Sequence, residues 1–388
     1  MRTKNFVLIL CCIVLTSFLF IILGPAGQQN DSLKSIVTQT HQQLREFQVS
    51  VAIRRTAFWA VCSSRHFRGC KVIAISRYSG TLHFEIQKSS TDEKKLEVDP
   101  KYLSLLGFKS PIYNGTRLNF TIVSYVQEGQ GPSAILLSQN IAAKFPNEFL
   151  LIYDLGLSED DSRALSGYCN SSKCSVITYD LSVFPSHVMD QRMHAYRPLV
   201  IKDALTRSKT ILFAENNIRI RKSGNDLYDL KNKSNGVLGW TTRKAVSTRT
   251  HPKMFEYFET NLDDFLFLPM VGLDTVFFTD TKLVTEKILL PWIKCALTVE
   301  CIDPIGAQSG GCKYNKKPQY RYSGCHAYDT SAFNIVLGLT WHLDETKYSL
   351  PGETNSLFFQ ETLEQATKIL ESKRRNSSET SEHPFTDE

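Results

Sequence analysis

From Arg117 onward, apolar runs of strand length alternate with segments of helical pattern, and this alternation limits the fold more than any other feature of the chain. RLNFTIVSYV, EFLLIYDLGL, CSVITYDL and KTILFAENNIRI read as strands. PSAILLSQNIAAKF, SEDDSRALSGY and AYRPLVIKDALTRS, set between them, read as helices, the second opening on acidic residues that suit the helix dipole. Strands spaced by helices of about ten to fifteen residues imply βαβ units and a mostly parallel sheet flanked by helices. The expected class is α/β. Ligands of such sheets sit beyond the carboxyl ends of the strands. Ser124, Asp154 and the stretch Glu215–Asn217 lie at or near three such ends and are the first candidate cleft residues.

The last third is less regular. PKMFEYFETNL, TKLVTEKILLPWIKCAL and CHAYDTSAFNIVLGLTWHL read as helices, whereas FLFLPMVGLDTVFF is an apolar stretch with no assigned element. One more helix is expected after Leu363, and Ser372 to Glu388 reads as a disordered tail.

The other end of the chain sets the compartment. Phe6 to Gly24 is nineteen residues without a charge; at ~1.5 Å rise per residue it matches the hydrocarbon thickness of a bilayer. Arg2 and Lys4 precede it and the next basic residue is Lys34, an asymmetry that holds the N-terminus in the cytosol. A cleaved signal peptide is the alternative, with small residues at Gly24 to Gly27, but its apolar core typically runs about 7–15 residues. The reading is a type II signal-anchor (6–24) behind a short cytosolic tail (1–5). A polar stem (25–50), a small β-rich subdomain (51–110) and a catalytic-sized domain (117–345) follow. Localisation in the Golgi or ER membrane is the expectation.

Ten cysteines fit that compartment. Cys11 and Cys12 fall in the apolar run, and an even set of eight remains, expected to pair as disulfides. Cys62–Cys70 and Cys169–Cys174 are plausible local pairs; the connectivity of Cys295, Cys301, Cys312 and Cys325 stays open. Zinc is the alternative for those four, although no C-x-x-C spacing occurs. Six Asn-x-Ser/Thr sequons, at Asn30, Asn114, Asn119, Asn170, Asn232 and Asn376, suit a secretory chain. The 45 basic and 39 acidic residues are nearly balanced and nowhere form a basic stripe, so no nucleic-acid partner is expected.

Among motifs, H-E-x-x-H, G-x-S-x-G, the phosphate-binding glycine loop and G-x-G-x-x-G are all missing. What remains is the end of the fourth strand. Glu215 and Asn217, two apart on an extended backbone, would turn both oxygens to one side, as a hard divalent cation bridging protein to a diphosphate requires. An ordinary strand end with an Asn turn is the plainer alternative. Later, His326 and Asp329 share a helical face; His326 suits a third metal ligand, and Asp329 suits a group that orients or deprotonates a sugar hydroxyl. Their structural alternative is Cys325 in a disulfide with Asp329 serving first-turn amides. Arg197, opening a helix, is a candidate for a diphosphate, and Asp154 for a ribose or base, with a salt-bridged arginine and a turn aspartate as the alternatives.

The ordered string YDLGLS, FPSHV, AYRPLVIKDAL, the strand with Glu215, HPKMFEYF, PWIKCALTVECIDPIG and CHAYDTSAFNIV resembles an uncharacterised family of animal type II membrane proteins. That family in turn looks like the GT-A-fold nucleotide-diphospho-sugar glycosyltransferases, over Arg117 to Trp341 of this chain. Members more usually carry Asp and Ser where this chain has Glu215 and Asn217, and Trp-Lys-Pro where it has Tyr196-Arg197-Pro198. The resemblance implies a lumenal enzyme that moves a sugar from a nucleotide-sugar donor to a glycan or glycoprotein acceptor. It implies Mn²⁺ or Mg²⁺ held by Glu215, Asn217 and His326, Ser124, Asp154 and Arg197 at the donor, and Asp329 as the catalytic carboxylate. The rival is a glycosyltransferase-like lumenal binding or scaffold protein without activity.

Overall fold

The computed structural model describes residues 75–78, 81–84 and 96–381, apart from 222–224, 235, 316–319 and 351–356. The chain divides into two units, Met1–Glu93 and Lys94–Glu388. Of the first, the described part is a hairpin, β1 (Ile75–Tyr78) paired antiparallel with β2 (Thr81–Phe84). The apolar run at 6–24, the stem, the rest of the expected β-rich subdomain, Cys62 and Cys70 lie outside the described residues. Among the described residues no helix is long and apolar enough to cross a membrane.

The second unit starts earlier than expected. Helix α1 (Pro100–Leu105) belongs to it, capped by Asp99, whose carboxylate accepts from the Lys101 amide at 2.9 Å. Then come β3 (Leu118–Val126), α2 (Gly131–Lys144), β4 (Phe149–Asp154), α3 (Glu159–Tyr168), β5 (Cys174–Thr178), α4 (Arg197–Arg207) and β6 (Ser208–Ala214). The expected local signals are used. Ser158 caps α3 by accepting from the Asp161 amide, with Glu159, Asp160 and Asp161 in its first turn, and Pro132 and Pro198 sit in the first turns of α2 and α4, where the lost N–H is not needed. The four strands align parallel in the order β5-β4-β3-β6.

The remainder differs. The fourth run breaks after Ala214: a turn follows, closed by the Ile218 amide on the Glu215 carbonyl at 3.0 Å, and β7 (Ile218–Ile220) leaves the sheet. Next are α5 (Asn225–Lys233), β8 (Val237–Ala245), α6 (Val246–Arg249), α7 (Pro252–Tyr257), β9 (Pro269–Val271) and β10 (Thr275–Thr279). β10 is inserted antiparallel between β6 and β8, with β9 and β11 (Ser349–Leu350) bordering β8. The unassigned apolar stretch thus supplies two strands. Sandwiched by helices, β10 is apolar on both faces, so its residues carry no alternation to read. β12 (Phe358–Gln360) pairs with β7. The other helices are α8 (Leu290–Ala296), α9 (Val299–Ile302), α10 (Tyr328–Thr340) and α11 (Leu363–Ser381), the last running well into the segment expected to be a tail.

Period-two alternation divides the core between the faces of the sheet. Val123, Tyr125, Leu151, Tyr153, Ile211 and Phe213 meet α4, α8 and α10 on one side. Ile122, Val126, Leu150, Ile152 and Leu212 meet α2 and α3 on the other. Helix α10 approaches closely at Gly338, where a Cβ would stand 2.6 Å from Phe265 Cε1 and 3.0 Å from Leu268 Cδ2. Helix propensity alone favours Gly→Ala by about 1 kcal/mol, but overpacking a core costs about 1–3 kcal/mol. Gly338→Ala is therefore expected to lower stability by about 1 kcal/mol in urea unfolding, and a gain would show that Phe265 yields freely.

Cys169–Cys174, Cys295–Cys301 and Cys312–Cys325 are disulfides. The first is one of the expected local pairs. The other two use all four cysteines of the zinc alternative, which is thereby overturned.

Candidate active site

The site is built where the parallel strands end. Tyr125 is the penultimate residue of β3, and its phenol donates to Glu215 Oε2 at 2.6 Å, just past β6. Helix α4 is pinned to the sheet by Asp203, whose Oδ2 accepts from the Tyr153 hydroxyl at 2.6 Å and from Arg207 Nε at 2.8 Å. That anchoring holds Arg197, in the first turn, under the strand ends. Its guanidinium lies between two carboxylates. Nη2 is 2.5 Å from Glu215 Oε1, and Nη1 is 3.1 Å from Asp329 Oδ2, the Arg197 and Asp329 side chains being 9% and 1% exposed. The Glu215 contact is out of line for a hydrogen bond, so that pair is an electrostatic one, and Arg197 Nε has no partner.

Asp329 comes from the first turn of α10. Its Oδ1 accepts from the Thr330 amide at 2.7 Å, and its carbonyl accepts from Trp292 Nε1 at 3.0 Å. Tyr328 before it has φ 45°, a left-handed conformation costly for a tyrosine, as is common where a site dictates the backbone. Residues from the start of α4, the turn after β6 and the start of α10 thus form a Glu215–Arg197–Asp329 triad. Glu215, Arg197 and Asn217 line a cavity of 520 Å³ together with Tyr125, His194 and Asp274. The Asn216 amide, directed the other way, ties the turn to the Tyr125 carbonyl at 3.0 Å and to Gln130 Oε1 at 2.7 Å.

Burial sets the protonation states. The Asp329 carboxyl is pushed up to about 6 by desolvation, against the pull of Arg197 and the Thr330 amide. Burial and then the Glu215 charge raise the Tyr125 phenol well above its ordinary value, so it remains a donor. Burial, helped by the Arg197 charge, drops His194 to about 3 and leaves it neutral. Burial also raises Asp274.

The other expected site residues divide. Asp154 takes the turn role: Oδ1 accepts from the Gly156 and Leu157 amides at 2.9 and 2.8 Å, and Oδ2 from the Ser162 hydroxyl at 3.3 Å. It nevertheless borders a second cavity, of 820 Å³, with Thr178 and Asp180 at the ends of β4 and β5. Ser124 is not a cleft residue. It faces the opposite side of β3 from Tyr125, fully buried, its hydroxyl without a partner. A one-residue step along a strand reverses the face, and the sequence reading chose the wrong side.

His326 does not join the site as a ligand. It is fully buried, its Nδ1 accepts from the His251 amide at 3.1 Å, and its Nε2 lies 3.0 Å from the Ile302 carbonyl. One nitrogen accepts and the other donates, so no lone pair remains for a metal. This is a structural histidine beside the Cys312–Cys325 disulfide.

The fit of a divalent cation follows. Both Glu215 oxygens are engaged, one by a fixed positive charge, and an ion at ~2.0–2.6 Å from either oxygen would stand against Arg197 or displace the Tyr125 hydroxyl. Of the three expected ligands, Asn217 Oδ1 and Glu215 Oε1 are buried without a hydrogen-bond partner, and Oε1 lies 2.5 Å from Arg197 Nη2. Among the described residues no group of three or more His, Cys, Asp or Glu could hold a metal. The residues present do not fit Mn²⁺ or Mg²⁺ in the arrangement expected.

Tyr125, His194, Asp274, Lys244 and Arg249 line the same cavity and were not singled out in the sequence. For Tyr125 the signal was present, since it follows Val123 by two on a strand. Asp274 is placed by antiparallel pairing: the Glu215 amide donates to its carbonyl at 2.9 Å. No local pattern marks the others.

No family model matches the chain, and no curated protein matches it. Its structure is similar to solved glycosyltransferases. The apo bifunctional glycosyltransferase WbbM matches with TM-score 0.34 and 13% identity, over 48% of this chain and 35% of that one. The galactosyltransferase LgtC, in complex with donor and acceptor sugar analogues, matches with TM-score 0.30 and 11% identity, over 41% and 57%. Core-mannan synthase A from Aspergillus fumigatus, in its Mn/GDP form, matches with TM-score 0.36 and 8% identity, over 64% and 76%. The chain spans about a third of the length of the first and little more than half of the second.

Proposed function

We propose that the larger unit is a glycosyltransferase that takes its sugar from a nucleotide-diphospho-sugar and passes it to a glycan or glycoprotein. One observation carries this reading: Arg197 and Glu215 line a cleft beyond the carboxyl ends of parallel strands, where α/β sheets bind their ligands, and Asp329, over a hundred residues further on, is buried against Arg197 just behind them. The 820 Å³ cavity at β4 and β5 has room for the nucleoside, and the 520 Å³ cavity at β3 and β6 for the sugar. Asp329, with its carboxyl at about 6, is mostly ionised at neutral pH yet more basic than an ordinary carboxylate, which suits it to accept a proton relayed from an acceptor hydroxyl. Arg197 holds it in place and stabilises the ionised form. No step in this reading passes through a metal.

The apolar run Phe6–Gly24 supports an anchored, lumenal setting in the Golgi or ER, and the sequon asparagines 114, 119, 170, 232 and 376 are all exposed. A second reading, a lumenal binding or scaffold protein without transfer activity, draws on a Glu215 side chain already held by Arg197 and the Tyr125 hydroxyl. The two are separated by incubating the purified full chain with a panel of nucleotide-sugars and following both binding and donor turnover. The enzyme reading expects turnover that rises through an inflection near the Asp329 value of about 6, and an Asp329→Asn loss of about 10²–10⁴-fold. Donor binding with no turnover selects the scaffold, and no binding of any donor defeats both.

A further inference from the structure

The cleft contains two cations that the triad does not use. Lys244, at the end of β8, and Arg249, the last residue of α6, both line the 520 Å³ cavity that Glu215 and Asn217 line. They meet on one ring: Lys244 Nζ lies 3.8 Å from the Tyr314 centroid, and Arg249 Nη1 is 3.2 Å from the Tyr314 hydroxyl. Among the described residues neither has a carboxylate partner, and Arg249 Nε is buried with no hydrogen bond at all. Arg197 is the opposite case, already shared between two acids.

The placement is rigid. The Arg249 carbonyl accepts from the Ala327 amide and the Ser331 hydroxyl, both at 2.9 Å, which locks α6 to the start of α10 and to Asp329. Ser323, next to the Cys312–Cys325 bridge, donates from its amide and hydroxyl to the Thr248 carbonyl. Two unneutralised cations on a fixed wall, one with an idle buried donor, constitute a half-finished anion site. A phosphate oxygen supplies the missing acceptor.

On the reading that this cleft takes a nucleotide-diphospho-sugar, we infer that its diphosphate is bound by Lys244 and Arg249 without a divalent cation. Charge on the leaving nucleotide is then compensated by side chains on one wall. Glu215 and Asn217, in the same cavity, keep their oxygens for the sugar and for Arg197.

Calorimetric titration of the purified full chain with inorganic pyrophosphate, and then with UDP and GDP, tests this in EDTA and in Mn²⁺. The expected result is binding in EDTA, with an affinity that Mn²⁺ changes little. Lys244→Gln and Arg249→Gln together should weaken it by at least about tenfold, as loss of charge-assisted hydrogen bonds implies, and Lys244→Arg should retain most of it. Lys244 is exposed, so Lys244→Gln alone stays readable should the double variant fold poorly. Binding that requires Mn²⁺, or that survives the substitutions, overturns the inference and leaves the donor reading standing. Failure of every diphosphate to bind in both conditions overturns the inference, and failure of the nucleotide-sugars as well removes the donor reading with it.

Discussion

Arg197→Ala is expected to cost about 3–5 kcal/mol of folding stability, the usual consequence of leaving a buried charge unpaired, and to lower the melting temperature by roughly 10 °C. The reason is geometric. Asp329 is fully buried and Glu215 largely so, and among the described residues the guanidinium between them is the one cation touching both. Arg197→Lys should recover only part of the loss, because a single ammonium cannot occupy both ends of the guanidinium fork. Adding Glu215→Gln to Arg197→Ala should be less than additive, since both changes break the same pair. Urea unfolding of the wild type, Arg197→Ala, Arg197→Lys, Glu215→Gln and the double variant checks this. An Arg197→Ala protein as stable as wild type would mean that water reaches the acids, and the triad would lose its standing as a desolvated site.

Acid should destabilise the protein well before general carboxylate protonation does. His326 is held at about 3 by burial, from an ordinary 6.5, so its contribution to stability is fully present above pH 6.5 and is lost progressively toward pH 3. At pH 5 the unfolded imidazole binds a proton that the native one refuses, a loss of about 2 kcal/mol. His194, also at about 3 but less buried, acts in the same direction. Asp329 opposes them: its native carboxyl, at about 6, protonates before the unfolded one at 3.8. That returns about 1 kcal/mol at pH 5. The two histidines prevail, and unfolding free energy should be lower at pH 5 than at pH 7.5 by about 2 kcal/mol. His326→Gln, whose amide can both donate and accept, should flatten the slope. A protein equally stable at the two pH values, or a variant that keeps the full drop, would show that the native His326 takes up a proton.

The parallel half of the sheet was legible in the residues because it repeats one local grammar. β3, α2, β4, α3, β5, α4 and β6 lie where the apolar runs, the Ser158 cap and the Pro132 and Pro198 starts place them. The antiparallel half was not. β8 and β10 owe their state to partners far along the chain, and β10 is buried on both faces, which erases the period that distinguishes strand from helix.

The site divides along the same line. Residue types and spacing were enough to single out Glu215, Asn217, Arg197 and Asp329, since an acid or amide just after an apolar strand and an arginine at a helix start are local signs. What each one does was decided by what folding brought against it. Arg197 landed between Glu215 and Asp329, over a hundred residues apart, and so took the place where a metal was expected. His326 landed against two backbone groups that consume both its nitrogens. Ser124 and Tyr125 are neighbours in sequence, yet the pleat sent the hydroxyl into the core and the phenol to the cleft. Local sequence determines which elements form and which chemistry reaches their ends. Only long-range packing determines which charges lose their water and which partners they find there, because desolvation and pairing depend on residues that no local pattern brings together.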